Sequence, residues 1–594
     1  MSKQSMAIFD IETDSLDPAV VVVYIITVFD MQSEQIMTFL NPLEGLNKLN
    51  SYDILIGHNV VNFDLPVLAK LYQFKPREDV QVWDTLIMSR LLFGDLYNLE
   101  ERFYPQWKLK LPPRLRGSHS LEAWGLRLGE LKDTWGEQRT DWVMTSENQE
   151  EFLNYARQDV RVTKVLFDFL YPLIQNVWEP FLMETEVAKI IQRQIAYGFA
   201  LDIEAAKGLL GSYYKEMADI EKELQKAFPP WEEQAGVYKK ANKAKGINAG
   251  DPKIVKVKFN PGSRKHIALK LQEKYSWTPQ KFTELGNPII DDEVLNSLDY
   301  PEAKLLSRYL NLQKLAGLLA EGNQGVLKHI KADGRVHGTV NTLGAVSRRM
   351  THSSPNVAQM PTDSEFRKLF IAPNDNRCLV GIDASGLELR CLAHYLARYD
   401  NGVYAHQILQ GDIHTYNQQA AGLKTRAQAK RFIYAFLYGA GTSLLAQIAE
   451  IPESKGAKLK QKFLNNIQGL PALIEDVQNK AKGSFIKSLD GVPLFVRDSY
   501  KALNLLLQSA GAIVMKRALV ILDNSLQSKG LIPGQDYEFV ANIHDEWQIE
   551  AKKELANIIA EEGKKAVKAA GRFYNFRCPL DGEAKIGMNW AETH

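Results

Sequence analysis

Two apolar runs that each end in an acid constrain this chain more than anything else in it. Asp383 closes the run Cys378-Leu-Val-Gly-Ile, and Asp545 follows Glu538-Phe-Val-Ala-Asn-Ile-His. The runs predict buried strands, and a carboxylate at the end of a buried strand is costly to desolvate unless it is paired or bound to metal. The two acids stand 162 positions apart, so the fold must bring distant strands side by side. Converging acids of this kind suit two Mg²⁺ ions held roughly 4 Å apart by hard oxygen ligands, the arrangement of phosphoryl transfer.

Between them lies Arg426-Ala-Gln-Ala-Lys430-Arg-Phe-Ile-Tyr434-Ala-Phe-Leu-Tyr438-Gly439. Thr425-Arg-Ala-Gln428 is a capping box that starts a helix at Arg426, and Gly439 stands where a glycine stop belongs. Arg426, Lys430, Tyr434 and Tyr438 recur every fourth residue, on one slowly drifting face. That face runs about 18 Å, enough for a triphosphate, a sugar and a base. Two cations followed by two aromatic rings is the order a nucleotide requires. Alone, the pattern fits a solvated amphipathic helix equally well; between two acid motifs it reads as a nucleotide-binding helix.

A second set of acids lies near the N-terminus. Met6-Ala-Ile-Phe-Asp10-Ile-Glu12 predicts a strand with Asp10 and Glu12 on one face, since side chains alternate. Asp64 follows the apolar stretch around Ile56, and Glu151-Phe-Leu-Asn-Tyr155-Ala-Arg-Gln-Asp159 predicts a helix on which Tyr155 and Asp159 share a face. A further acid, Asp84, sits in a turn and is read as structural.

At 594 residues the chain exceeds one core, and about four domains are expected. Three cysteines without CxxC spacing exclude a disulfide framework or zinc site. The first residues lack the apolar core of a signal peptide, and the longest mostly apolar run, Val20 to Phe29, is too short to span a bilayer. A cytoplasmic protein with no membrane partner is expected. The net charge of +1 does not advertise a nucleic-acid binder, but Lys239 to Lys270 holds ten Lys/Arg against one acid, Asp251. Such a block is a solvated face or, beside phosphate chemistry, a backbone-phosphate contact. Pro229 to Lys258 reads as a polar loop or small insert.

The three segments around Asp383, Lys430 and Asp545 resemble the motifs of the family A (DNA polymerase I-like) DNA polymerases. The four N-terminal acids with Tyr155 resemble the tyrosine subclass of DEDD-type 3′→5′ exonucleases. Gly117-Ser-His-Ser-Leu-Glu-Ala-Trp-Gly125, Gly411-Asp-Ile-His414-Thr and Met588-Asn-Trp-Ala591 extend the likeness over nearly the whole chain, toward the T-seven-type phage replicative enzymes. The implied fold is an α/β exonuclease domain with an RNase H-like mixed sheet over 1–180, then an α+β right-hand polymerase domain over 181–594. Within the latter the thumb is expected at about 205–330, the palm at about 331–405 and 486–594, and the fingers at about 406–485.

The resemblance implies a DNA-templated DNA polymerase with proofreading, working on primer-template DNA and dNTPs with two Mg²⁺ per site, in phage genome replication within a host cytoplasm. Asp383, Asp545 and the Ala384 carbonyl would hold metal in one site. Asp10, Glu12, Asp64 and Asp159 would hold it in the other, with Tyr155 orienting water. Arg426, Lys430 and His414 would meet the triphosphate, Glu388 would exclude a 2′-OH, and Tyr434 would pack under the sugar. Tyr438 and Gly439 would border the templating base. Arg349, Asn504 and Gln508 would read minor-groove acceptors, and His544 would touch the primer end; a satisfied polar helix face is the plainer reading of Asn504 and Gln508. A helicase-primase and a single-stranded DNA-binding protein are the expected partners. Two departures stand out: Arg348 replaces a usual Gly, and the 229–258 stretch is much shorter than the insert that binds thioredoxin, which argues against a thioredoxin clamp. The alternative to a polymerase is an exonuclease whose second half only binds DNA.

Overall fold

The computed structural model describes residues 4–15, 20–133, 135, 142–241, 246–279, 282–283, 285–362 and 364–594. The chain divides into two compact units: Met1–Gly198 with Thr339–His352 and Ala372–His594, and Phe199–Gly338 with Ser353–Ile371.

The first unit carries two large sheets, of five and four strands, beside short two-stranded ones. Strands β1 (Met6–Thr13), β2 (Val23–Asp30), β3 (Ile36–Phe39), β4 (Ile54–Gly57) and β5 (Gln81–Asp84) form a sheet in the order β3-β2-β1-β4-β5. β1 runs antiparallel to β2 and parallel to β4, so the sheet is mixed. Ala7, Ile8, Phe9 and Ile11 are all buried, because β1 is central and covered on both faces. The 26-residue helix Gln149–Ile174 packs on it, burying Phe152, Ala156, Val160 and Leu166 along one stripe. The core of this lobe includes Leu343, Val492 and Phe495 from far along the chain. Asp95 pairs with Arg497 at 2.7 Å across the same seam.

The second sheet is antiparallel, in the order Tyr537–Ile543, Glu546–Lys552, Arg377–Ala384, Gly582–Gly587. Its register sets Asp383 opposite Glu546. Gly381 is required there, since a Cβ would lie 2.1 Å from the Thr593 carbonyl oxygen. Behind the sheet runs the helix Ala502–Ser528. The stretch Ser499–Ser528, longer than the Val20–Phe29 run singled out from sequence, is long and apolar enough by length and composition to cross a membrane, but 78% of its most apolar 18-residue window is buried inside the protein. Its apolar side chains (Leu506, Ile513, Val514, Leu519) are core.

The second unit is built on the helices Ile203–Ala227, Arg264–Tyr275 and Pro301–Leu319. Arg308 reaches Glu216 with both guanidinium donors at 2.6 and 2.7 Å, clamping two of them. The stretch read as a loop or insert contains an antiparallel hairpin, Trp231–Val237 with Pro252–Val257. Ile254-Val255-Lys256-Val257 supplies the β-branched residues that favour it. Lys270 lies 3.9 Å over the Trp231 ring. Lys243 and Lys245 of the basic block lie outside the described residues.

Candidate active sites

In the N-terminal lobe, alternation along β1 and the four-residue spacing on Gln149–Ile174 converge. Carboxylate oxygens of Asp10, Glu12 and Asp159 all lie within 4.8 Å of one another. Burial first, then mutual repulsion, holds Asp10 and Glu12 well above the usual carboxylate range. Glu12 Oε1 and Asp159 Oδ1 are buried without any hydrogen-bond partner. Unpartnered buried oxygens are rare because they lose hydration for nothing, and hard anionic oxygens aimed at one point are what a divalent cation takes. The donor set therefore fits a hard cation. Asp64 lies outside this trio. It opens the helix Asp64–Tyr72, accepts the Ile11 N–H at 3.1 Å, and is pushed up to about 7, chiefly by burial.

Tyr155 is buried one turn before Asp159, and sequence reasoning missed what lies between them. Lys132 places Nζ 2.7 Å from Asp159 Oδ2 and 4.8 Å from the Tyr155 ring centroid. Asp84, read as structural, accepts from the N–H groups of Asn59, Val61 and Leu86 and caps the helix Thr85–Leu92. A cleft of about 810 Å³ opens over the trio, lined by Asp10, Asp159, Lys132, His58, Arg90 and His119 among others, and runs to Leu343 and Arg497.

The second site forms where the antiparallel sheet ends. Asp545 sits in the turn between Tyr537–Ile543 and Glu546–Lys552, and the Ala384 N–H donates to the Asp545 carbonyl at 2.9 Å. That one backbone bond brings together acids 162 residues apart. Burial, then Asp545, pushes Asp383 up to about 7; burial, then Glu388, pushes Asp545 up to about 6. Glu546 is committed elsewhere: it accepts from Trp590 Nε1 at 2.7 Å and Gln548 Nε2 at 2.6 Å, and meets His594 at 2.7 Å. Two carboxylates held together in spite of their repulsion fit a bound cation pair. His544, in the same turn, has φ +55, and burial, then Arg349, keeps its imidazole below the usual range.

The helix Arg426–Leu437 has both halves of its capping box, and Gly439 ends it at φ +84. Arg426 pairs with Asp412 at 2.7 Å, the N-cap of the next helix back, Ile413–Ala421, which carries His414. Lys430 is exposed one turn on. The His414 ring lies 6.4 Å from the Tyr434 ring, and its buried Nδ1 has no partner. Burial, then Glu388, Asp545 and Asp383, pushes the Tyr434 phenol up to about 12, so it faces the acids. Tyr438, rather than Tyr434, makes the hydrogen bond to Glu388, donating to Oε1 at 2.6 Å. Arg349 stands 3.6 Å from the same carboxylate and 5.6 Å from the Tyr438 ring. Asn504 Nδ2 donates to the carbonyls of Phe436 and Leu437 at the helix end. Gln508, Asn504, Tyr438 and Gly439 line one cleft of about 320 Å³.

Arg348 has a clear job. It is buried at φ +63 and bonds Asp490 at 2.7 and 2.8 Å and Glu184 at 2.9 Å. Lys516 joins Glu184 at 2.8 Å. Two cations thus meet two acids directly behind Arg349.

The chain matches the family model described as DNA polymerase family A over residues 238–592, and that of the RNase_H superfamily over residues 7–171. A DNA-directed DNA polymerase of Escherichia phage T7 is 35% identical over an alignment of 714 positions, covering 99% of this chain and all of that one (100%). One of Enterobacteria phage T3 is 36% identical, covering 94% of each. DNA polymerase I of Aquifex aeolicus is 26% identical, covering 96% and 92%. A solved structure, the POL domain of Pol1 from M. smegmatis in complex with DNA primer-template and dNTP, superposes with TM-score 0.75 at 16% identity, covering 99% of this chain and 96% of that one. That likeness is one of fold.

Proposed function

The chain belongs to DNA polymerase family A, with an RNase H superfamily domain at its N-terminal end, and we propose that it copies DNA by primer extension with dNTPs and proofreads in a separate 3′→5′ exonuclease site. The observation that supports this most is the Ala384–Asp545 backbone bond, which sets Asp383 and Asp545 side by side at the sheet end, near a helix offering Lys430 and Tyr434. When bound, two Mg²⁺ ions per site would activate the attacking oxygen and stabilise the leaving one. Asp383, Asp545 and the Ala384 carbonyl would hold one pair; Asp10, Glu12, Asp64 and Asp159 would hold the other.

The remaining roles belong to this chain's own side chains. Arg426, Lys430 and His414 would cradle the triphosphate; the Arg426–Asp412 pair would have to open or share. Glu388, fixed by Tyr438 and Arg349, would crowd a 2′-OH. Arg349, Gln508 and Asn504 would track the minor groove and His544 the primer end. Tyr155 would orient the hydrolytic water. The antiparallel sheet would be the palm, the helices around 406–485 the fingers, and the second unit the thumb, its lysine-bearing hairpin meeting backbone phosphates. Phage genome replication in a host cytoplasm, beside a helicase-primase and a single-stranded DNA-binding protein and without thioredoxin, completes the reading.

A primer-extension gel with Mg²⁺, with and without dNTPs, tests it. Asp383→Asn should abolish extension and leave primer degradation; Asp10→Ala with Glu12→Ala should do the reverse. Joint loss of both activities in either variant would sink the two-site assignment.

A further inference from the structure

Lys132 is the one cation among the described residues with its charge bonded inside the N-terminal acid cluster. It lies beyond the helix Leu121–Leu128, which Gly129 stops at φ +87, and its side chain reaches back to the floor of the cleft. It is 26% exposed, so it is neither a rim lysine nor a sealed core pair. The contact divides Asp159: Oδ2 takes the ammonium at 2.7 Å, while Oδ1 stays buried and unpartnered beside Asp10 and Glu12. The same ammonium lies 4.8 Å over the ring of Tyr155, one turn earlier on the helix. One side chain therefore fixes two groups of the site at once, by an ion pair and a cation–π contact.

The charge count gives this contact a purpose. The four acids of the proposed site, Asp10, Glu12, Asp64 and Asp159, balance two divalent cations, which leaves nothing over at the cluster for an anionic phosphodiester. One lysine at the cluster makes the loaded site net positive where the substrate enters. A lysine kept only to stabilise the fold would not need to share an oxygen pair with the trio.

We propose that Lys132 is a positioning residue of the exonuclease: by holding Asp159 Oδ2 and the face of Tyr155 it leaves Asp159 Oδ1 turned to the cation site and the phenol fixed beside it. This rests on the exonuclease reading above. The prediction has two parts of opposite sign. Removing the ammonium frees Asp159 to rotate, so hydrolysis slows; it also makes the pocket more negative, so a divalent cation binds more tightly.

The test uses the full chain carrying Lys132→Met or Lys132→Arg. Turnover is read on a single-stranded primer without dNTPs. Cation binding is read directly, by titrating Mn²⁺ and following free Mn²⁺ by electron paramagnetic resonance. The equivalents lost in the Asp10→Ala, Glu12→Ala variant are assigned to this site. Lys132→Met should lower exonuclease kcat by about 10- to 100-fold, the range of a residue that orients a metal ligand, while Mn²⁺ affinity rises about threefold or more. Lys132→Arg, which keeps the charge and a donor, should recover part of kcat. Primer extension reports that both variants are folded. Turnover within twofold of wild type in Lys132→Met would overturn the proposal, and so would loss of Mn²⁺ affinity in step with turnover, the signature of a purely structural strut. Absence of 3′ degradation by the wild type would overturn the exonuclease reading and this proposal with it; degradation that ignores Lys132 overturns the proposal alone.

Discussion

Asp545→Asn should make the cation-free protein more stable while abolishing primer extension, and the size of the gain can be worked out. Burial, then the neighbouring Glu388, moves this carboxyl from its ordinary 3.8 to about 6. At 1.36 kcal/mol per tenfold in proton affinity, keeping it charged costs the fold about 3 kcal/mol. The side chain is partly open to water, so about half of that, roughly 1.5 kcal/mol, is a fair expectation. The folded chain holds this proton more tightly than the unfolded chain. The cost is therefore fully present above about pH 6 and vanishes as pH falls toward about 4. In a unit of this size or larger, 1.5 kcal/mol is about 3–6 °C in Tm at most. The assay is a thermal melt with EDTA at pH 8 and pH 4.5, for wild type and Asp545→Asn. The variant should melt higher at pH 8, with most of that difference gone at pH 4.5. Adding Mg²⁺ at pH 8 should raise the wild type by more than the variant, which keeps only the N-terminal cation site. A variant that melts lower than wild type at pH 8 would falsify the claim that the acids are held together against their repulsion.

Two further perturbations separate local contacts. Arg348→Ala strands Asp490 and half of Glu184's pairing in a buried setting, and should cost about 3–5 kcal/mol in denaturant unfolding; Arg348→Gly should cost about 1 kcal/mol less, because glycine relieves the left-handed backbone. Equal costs would mean that φ +63 carries no strain. Tyr438→Phe removes the phenolic donor from Glu388; at the low end of a charge-assisted bond, since Tyr438 is 49% exposed, dNTP over rNTP preference in kcat/KM should fall about tenfold. Tyr434→Phe should leave that ratio within about twofold, and the opposite ranking would show that substrate hands Glu388 from one tyrosine to the other.

Local signals in the sequence were reliable where one element decides the outcome. The capping box at Thr425, the Gly439 stop and the i,i+2 pairing of Asp10 with Glu12 depend on adjacent backbone alone, and each appears in the structure. The shared face of Arg426 to Tyr438 was legible only in part. At 3.6 residues per turn, each four-residue step drifts about 40°, so by the third step Tyr438 has turned toward Arg349 and Glu388 while Arg426 still faces Asp412. Lys132 left no trace: Glu130-Leu-Lys-Asp has no period, and its partner is 27 residues on. Arg348 was visible as an oddity but not as a solution, because Glu184, Asp490 and Lys516 are spread over more than 300 positions. The hairpin of Trp231–Val257 was obscured by its lysines, whose charge outweighed the β-branched residues between them.

Leu343, Val492 and Phe495 sit in the core of the N-terminal lobe, and Arg497 pairs with Asp95 at its edge. The lobe thus borrows part of its wall from chain made 169 to 323 residues after Ile174, where the helix that covers its sheet ends. On a ribosome, the nuclease half would wait with an apolar seam open until the polymerase half arrives to close it. The N-terminal lobe cannot then be excised without opening that seam, and a break near Val492 would disturb an acid cluster hundreds of residues away in sequence.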